Sequence, residues 1–372
     1  MNKVIGIALL MIAVAGCRNE EVLEPFFYPQ LLNSSVDFVE VFDDKSMIAG
    51  SFEGIYYKNE DGDEFFVEIG DDFEYNQKNI QSMTFFKGGD KVYGVNVNWI
   101  VEIKDDEATF YANSIPNVTY GDALRFADYG IDREGKLFAV SYGKYVFDEN
   151  LWQDFYEIYL NRWQAGSWAG NGTDILIRDL DLMAPSFVFG EDYLYVAVGD
   201  IYEVDYKDIF NFDYERLVPN IGGVDYQNMH QLTYQDDALY ATNGQGLIGG
   251  SPYLMYTFNL RTGNFRDRQF SDRCNVPLFT TMDYQFYHSD GVYAFVRTEV
   301  EQETFNSQEV VYIINQAFGL CDRYEIGSNY DVQDVSYDVR ANALLLATNQ
   351  GLITYDLESE TTAPYLNTIE ER

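Results

Sequence analysis

An all-β chain is what this sequence predicts, and three observations carry the prediction. A short hydrophobic pattern recurs seven times, turn-forming clusters stand before most copies, and alternating strand-like stretches flank them. Each copy places two hydrophobic residues before a small or β-branched one: Met47-Ile48-Ala49, Val92-Tyr93-Gly94, Leu137-Phe138-Ala139, Leu194-Tyr195-Val196, Leu239-Tyr240-Ala241, Val292-Tyr293-Ala294 and Leu345-Leu346-Ala347. The third positions are 45, 45, 57, 45, 53 and 53 residues apart, and a recurring spacing of this kind decides a fold before any single element does.

The turn clusters are Asp43-Asp44, Gly88-Gly89-Asp90, Glu134-Gly135, Glu191-Asp192, Asp236-Asp237 and Ser289-Asp290-Gly291. These residue types tolerate the left-handed backbone of tight hairpins, so each copy is expected to begin the second strand of one. Upstream lie alternating strands such as Phe38–Phe42 and Ser186–Phe189; downstream lie Ile100–Ile103, Ile201–Val204 and Leu352–Tyr355. Phe65–Ile69 adds a fourth strand. Four short antiparallel strands in a unit of about 50 residues describe a propeller blade. The expectation is therefore a seven-bladed β-propeller of four-stranded antiparallel blades over residues 36–365, with a tail at 366–372. A β-solenoid is the structural alternative, against which the coils are too long and irregular. Ring closure should bring the ends together, through Pro364-Tyr365 or the segment before Val36, because an open ring exposes strand edges.

The repeat resembles the broad superfamily of bacterial β-propellers that includes quinoprotein-like and YVTN-type repeats. Asp356-Leu357 and Asn259-Leu260-Arg261-Thr262-Gly263 look like the turn after the third strand in those families. The chain lacks a WD dipeptide, a kelch Gly-Gly pair in fixed register and a regular tryptophan docking motif, so the resemblance implies the fold and no subfamily. The eight-bladed propeller lipoprotein of the outer-membrane assembly machine is a weaker match, because its small-x-x-Gly repeat is missing.

Composition fits a folded domain and narrows its partners. Of 372 residues, 47% are hydrophobic and 17% aromatic, enough apolar surface to bury a core. Asp and Glu number 61 against 24 Lys and Arg, a formal charge of -37 that repels nucleic acid and anionic lipid headgroups. No nucleic-acid partner is expected.

Residues 1–16 read as a secretory signal: Lys3 precedes an apolar run from Val4 to Val14 that is too short to span a bilayer. Val14-Ala15-Gly16-Cys17 resembles the lipobox of bacterial lipoproteins, which implies acylation of Cys17 by diacylglycerol and palmitate-type chains. Residues 17–35 are then a lipidated tether, and the membrane is met through the lipid anchor only. Arg18 in place of Asp after that cysteine implies, by the sorting rule of such lipoproteins, the outer membrane, on its periplasmic face or at the cell surface.

Long connections carry function in compact domains. They are expected at 104–123, 162–184, 212–230 and 265–280 between blades, and at 243–252 and 298–309 within blades five and six. Trp152, Trp163 and Trp168 fall in the longest repeat spacing, beside polar groups that suit sugar edges. The spacing of Trp152, Phe155, Tyr159 and Trp163 equally suits packing of an outer strand or short helix. The binding face is expected to carry Trp163, Trp168, Tyr226 and His230. Cys274 and Cys321 stand 47 residues apart, near one repeat, and outside the cytoplasm an even pair favours a disulfide worth roughly 4 kcal/mol in loop entropy.

Catalytic and metal chemistry is sparse in the sequence. His230 and His288 are the two imidazoles, and no CxxCH, P-loop or GxSxG is present. His230 with Asp225 or Asp331 is the one acid-base grouping that suggests itself. Asn59–Glu64 offers oxygens that suit calcium but lacks the EF-hand spacing, so no cofactor or metal is expected and calcium is the ion those oxygens would take. The leading expectation is a non-catalytic outer-membrane lipoprotein whose propeller binds an envelope protein or glycan. The alternative is a lactonase-like or lyase-like propeller enzyme with a channel metal held by carboxylates such as Asp122 and Asp334.

Overall fold

The computed structural model describes residues 35–365 outside a set of connecting segments, the longest being 69–79, 116–126, 217–228, 244–253 and 270–284. Among the described residues every sheet is antiparallel and built from strands consecutive in sequence. Six sheets have four strands and one has five. The first comprises Phe38–Val41, Met47–Ser51, Gly54–Lys58 and Glu64–Glu68. The second comprises Thr84–Gly88, Lys91–Val95, Trp99–Lys104 and Glu107–Ala112. The third contains Ala127–Ile131, Leu137–Asp148, Gln153–Gln164, Ser167–Ala169 and Ile175–Asp179. The fourth opens with Ser186–Phe189 and Leu194–Val198, the fifth with Met229–Gln235 and Ala238–Asn243, and the sixth with Gln285–Ser289 and Val292–Val300. The seventh comprises Val332–Asp338, Ala343–Thr348, Gly351–Asp356 and Thr361–Pro364.

All seven copies of the hydrophobic pattern fall on second strands. Burial explains the pattern. Met47–Ser51 and Ala343–Thr348 are buried at every position, because a second strand lies inside its sheet while neighbouring sheets cover both faces. At Gly94, where the pattern ends in glycine, and at Gly50, just after it, an aromatic from the first strand occupies the space: a Cβ on Gly94 would stand 2.5 Å from Phe85, and one on Gly50 would stand 2.7 Å from Phe38. Those two rings stack 4.7 Å apart between the first and second sheets.

Hairpin turns between first and second strands take positive φ at Gly89, Gly135 and Asp237, within the expected clusters, and also at Lys45, just after Asp43-Asp44, and at Asn342, where no cluster was read. Aspartates fix these turns by accepting from the backbone ahead of them. Asp132 Oδ1 takes the N–H groups of Glu134 and Lys136 at 2.9 and 2.8 Å, and Asp338 Oδ1 takes that of Arg340 at 3.0 Å. Part of the acidic composition is thus turn chemistry.

Described cores join six pairs of sheets face to face. Ile48 and Tyr57 of the first meet Val92 and Val101 of the second; Tyr93 and Ile100 of the second meet Leu137 and Trp163 of the third. Phe138 and Ile158 meet Phe187 and Val196, and Tyr195 and Ile201 meet Leu232 and Phe258. Val311 and Ile313 of the sixth pack on Leu344 and Leu346 of the seventh. Met47 and Tyr56 of the first then pack against Leu345 and Leu352 of the seventh, so the ends of the chain meet. Backbone bonds tie the same junction, Val36 N–H donating to the Thr348 carbonyl at 2.9 Å. The last sheet is completed by Thr361–Pro364, next to the expected Pro364-Tyr365, as the consecutive fourth strand of that sheet.

Several segments read as connections between blades are edge strands instead. Glu107–Ala112 lies within 104–123, Asp213–Arg216 within 212–230, and Asn264–Gln269 overlaps 265–280. Residues 162–184 contain the end of Gln153–Gln164 and two further strands, both pairing with Gln153–Gln164. Glu107–Ala112 shows why: half of a fourth strand faces water, so it carries little apolar alternation to read.

Candidate functional site

First strands meet between sheets: Phe38–Val41 contacts Val332–Asp338, and Ala127–Ile131 contacts both Thr84–Gly88 and Ser186–Phe189, which contacts Met229–Gln235. Between those of the second, third, fourth and fifth sheets lies a cavity of about 310 Å³, walled by Thr84, Phe86, Tyr129, Phe187, Phe189 and the carboxyl-bearing Asp128. Local sequence makes the room. Gly130 has no side chain to keep the Phe187 ring away, and a Cβ there would sit 3.1 Å from its Cζ.

Asp128 is held across two sheets. Its Oδ2 accepts the N–H of Phe187 in the fourth sheet at 2.9 Å, and its Oδ1 accepts the N–H of Tyr129 at 2.9 Å. Ser186 gives it a side-chain hydrogen bond, and Ser186 Oγ in turn accepts the N–H of Leu232 from the fifth sheet at 2.9 Å. Enclosure outweighs these donors: desolvation pushes the carboxyl up to about 6, while the Phe187, Tyr129 and Ser186 bonds pull the other way. Beside it, burial pushes the Tyr129 phenol up to about 12, so that side chain stays neutral.

A related carboxyl stands at the junction of the seventh and first sheets. Asp334 Oδ2 accepts the Val39 N–H at 3.0 Å and Oδ1 the Val335 N–H at 2.9 Å, while Ser336 Oγ accepts the Val41 N–H at 2.9 Å. Desolvation pushes Asp334 up to about 7. Both its oxygens thus accept from neighbouring backbone, as those of Asp128 do. Among the described residues, no three His, Cys, Asp or Glu side chains converge as a metal site would require.

The tryptophans expected on an open binding face are interior. Trp163 is 5% exposed and Trp168 7%, both between the second and third sheets. Trp163 Nε1 donates to Glu102 Oε1 at 2.5 Å, and Glu102 Oε2 accepts from Lys91 at 2.9 Å. Trp168 Nε1 donates to Asn113 Oδ1 at 2.8 Å, and Asn113 Nδ2 donates to the Tyr129 hydroxyl at 2.8 Å. The correction has a physical reason: an indole buries a large apolar area and needs one acceptor, and the gap between two sheets supplies both. Trp168 therefore stands behind the cavity wall and braces Tyr129.

His230 begins the first strand of the fifth sheet at a β-bulge, with its backbone alone described. Tyr226, Cys17, Cys274, Asp122 and Asp225 lie outside the described residues. Cys321, in the strand Leu320–Gly327, is disulfide-bonded. Asp128 was not singled out by the sequence; the available signal is an acidic residue inside the inward strand Ala127–Ile131, the placement that Asp334 also has.

The fold and site define an all-β protein of the propeller class. No family model matches the chain, and no curated protein matches it in sequence. Solved structures do. The GH74 enzyme of Niastella koreensis superposes with a TM-score of 0.52 at 11% identity, over 87% of this chain and 52% of that one. The GH74 xyloglucanase of Xanthomonas campestris superposes with a TM-score of 0.50 at 12% identity, over 90% of this chain and 53% of that one. This chain thus spans about half the length of each, and at such identity the likeness shows the fold. It also corrects the expectation of a non-catalytic binding module: the matching propellers are those of enzymes, which favours the enzyme alternative.

Proposed function

We propose that this chain is a lipid-anchored propeller enzyme of the bacterial outer membrane that hydrolyses polysaccharide, with the Asp128 cavity as its catalytic pocket. On this reading the seven sheets close as a seven-bladed ring, Cys17 carries the acyl anchor, Cys274 pairs with Cys321, and the substrate is an envelope or extracellular glycan. The observation that carries it is a single carboxyl, raised by desolvation, set in the wall of a cavity whose other lining is mostly aromatic and aliphatic, with the hydroxyls of Thr84 and Ser186. Sugar rings stack on aromatic faces, and a carboxyl that holds its proton near neutrality is what departure of a glycosidic oxygen requires. Asp128 serves as that proton donor. The likeness to GH74 propellers supports the substrate class.

Hydrolysis needs a second carboxylate. Asp122 and Asp225 precede cavity-lining residues in sequence by six and seven positions and are the first to be replaced by asparagine in a search for it. The deciding experiment incubates purified protein with xyloglucan and a panel of β-glucans and measures new reducing ends. Activity is expected in the wild type, with Asp128→Asn at least about 100-fold slower and still folded. Undiminished turnover by folded Asp128→Asn removes Asp128 from the role. Absence of new reducing ends across the panel removes the glycan reading.

A further inference from the structure

We infer that Ser186 is a positioning residue for Asp128, carrying the hold of the fifth sheet through to the carboxyl of the third. The inference rests on the reading of Asp128 as proton donor and adds what fixes its orientation and charge. Ser186 opens the first strand of the fourth sheet and is 3% exposed. Its Oγ already accepts the Leu232 N–H at 2.9 Å, which anchors the oxygen. A hydroxyl has one proton to give, and with Leu232 occupying a lone pair that proton is directed to Asp128. The next residue, Phe187, donates its N–H to Asp128 Oδ2 at 2.9 Å, so two successive residues of one strand grip the same carboxyl.

Asp334 supplies an internal comparison. It too is enclosed and accepts two backbone N–H groups, from Val39 and Val335, but no serine hydroxyl is among its bonds. Its carboxyl is pushed up to about 7, against about 6 for Asp128. Desolvation raises both carboxyls, and a donor to the charged form pulls the other way, so the hydroxyl is what Asp128 has and Asp334 lacks against that rise. Among the cavity-lining residues Tyr129 is the other titratable group, and it is neutral across this range.

The test is a titration of aspartate-labelled protein followed by carboxyl carbon resonances, in wild type, Ser186→Ala and Ser186→Thr, with pH-rate profiles on any glycan that the wild type cleaves. Ser186→Ala should raise the Asp128 midpoint by about one pH unit and move the alkaline limb of the rate profile by the same amount. Ser186→Thr, which keeps the hydroxyl, should restore both. An unmoved Asp128 midpoint in folded Ser186→Ala overturns the inference, whether or not the protein cleaves glycan. A moved midpoint in a protein with no glycan activity upholds the hold of Ser186 on the carboxyl and overturns the enzymatic reading instead. Should Ser186→Ala fail to fold, Ser186→Cys, which keeps the size but weakens the donor, is titrated in its place, and an unmoved Asp128 midpoint there overturns the inference.

Discussion

Asp128 and Asp334 join sheets through backbone donors rather than through counter-ions, and this sets how each responds to substitution and to pH. Replacing Asp334 by alanine leaves the Val39 and Val335 N–H groups without their acceptor at the junction of the first and seventh sheets. An unsatisfied buried donor costs about 1–3 kcal/mol, so Asp334→Ala should lower the unfolding free energy by about 2–4 kcal/mol in urea titrations. A loss under about 0.5 kcal/mol would show that water replaces the carboxylate there. Both carboxyls have folded-state values above the ordinary one, so the native chain binds their protons more tightly than the unfolded chain does. Their contribution is fully present below about pH 4 and is lost as pH rises through about 6 for Asp128 and about 7 for Asp334. Each changes stability by at most about 1.4 kcal/mol per pH unit in its window. The exposed carboxylates Asp90, Glu134, Asp237 and Asp356 are held low and oppose this only below the usual carboxylate range. Melting temperature should therefore rise from pH 7.5 to pH 5, and a fall over that interval would contradict the assignment. Trp168→Ala belongs to the same scale: with the indole interior, it should cost about 3–5 kcal/mol in stability.

At the level of elements, turns and strand order do most of the specifying. The turn of Gly88 and Gly89 in the second sheet meets that of Gly135 in the third so closely that a Cβ on Gly135 would stand 2.7 Å from the Gly88 carbonyl carbon. Gly135 also has φ near 73°, a conformation a β-carbon disfavours. Gly135→Ala should destabilise by about 1–3 kcal/mol, whereas Gly62→Ala, at positive φ with open space around it, should cost about 1 kcal/mol. Equal losses by denaturant titration would mean that backbone strain alone decides. Second strands were legible because burial on both faces writes a continuous apolar run; Leu194–Val198 and Ala343–Thr348 follow directly from it. Of the fourth strands, Phe65–Ile69 was legible and stands as Glu64–Glu68; most others were not, because Thr361–Pro364 and its counterparts have an open edge and a wet face and carry no such run. Two of the wider repeat spacings have their cause in elements: the second and third strands of the third sheet run to 12 residues each, and those of the sixth to 9.

For the whole molecule, charge and closure oppose each other. A formal charge of -37 favours solubility and strains a compact chain by self-repulsion. Moving from about 0.01 to 0.15 M salt shortens the screening length from about 30 to 8 Å, so the melting temperature should rise with sodium chloride. A fall would point to ion pairs such as Lys91 with Glu102 outweighing the net repulsion. Among the described residues the first and seventh sheets meet through side chains and a few backbone bonds, and no strand from one end completes a sheet at the other. Met47 and Tyr56 against Leu345 and Leu352 are therefore what keeps the outer faces of the first and seventh sheets from water.

By itself the sequence determined the repeat, the position of every second strand, the turns and the all-β class, because each is written in local spacing: a period of two along strands, and turn residues at fixed offsets. It did not determine which polar or aromatic residues meet. Asp128 and Ser186 lie 58 residues apart, and Trp168 and Asn113 lie 55 apart, in different sheets. Whether an indole is a ligand platform or a brace, and whether an aspartate is a solvated charge or a raised acid, depends on what the neighbouring sheet places against it. Only the packed tertiary structure decides that, because desolvation and hydrogen bonding act through space and leave no period in the chain.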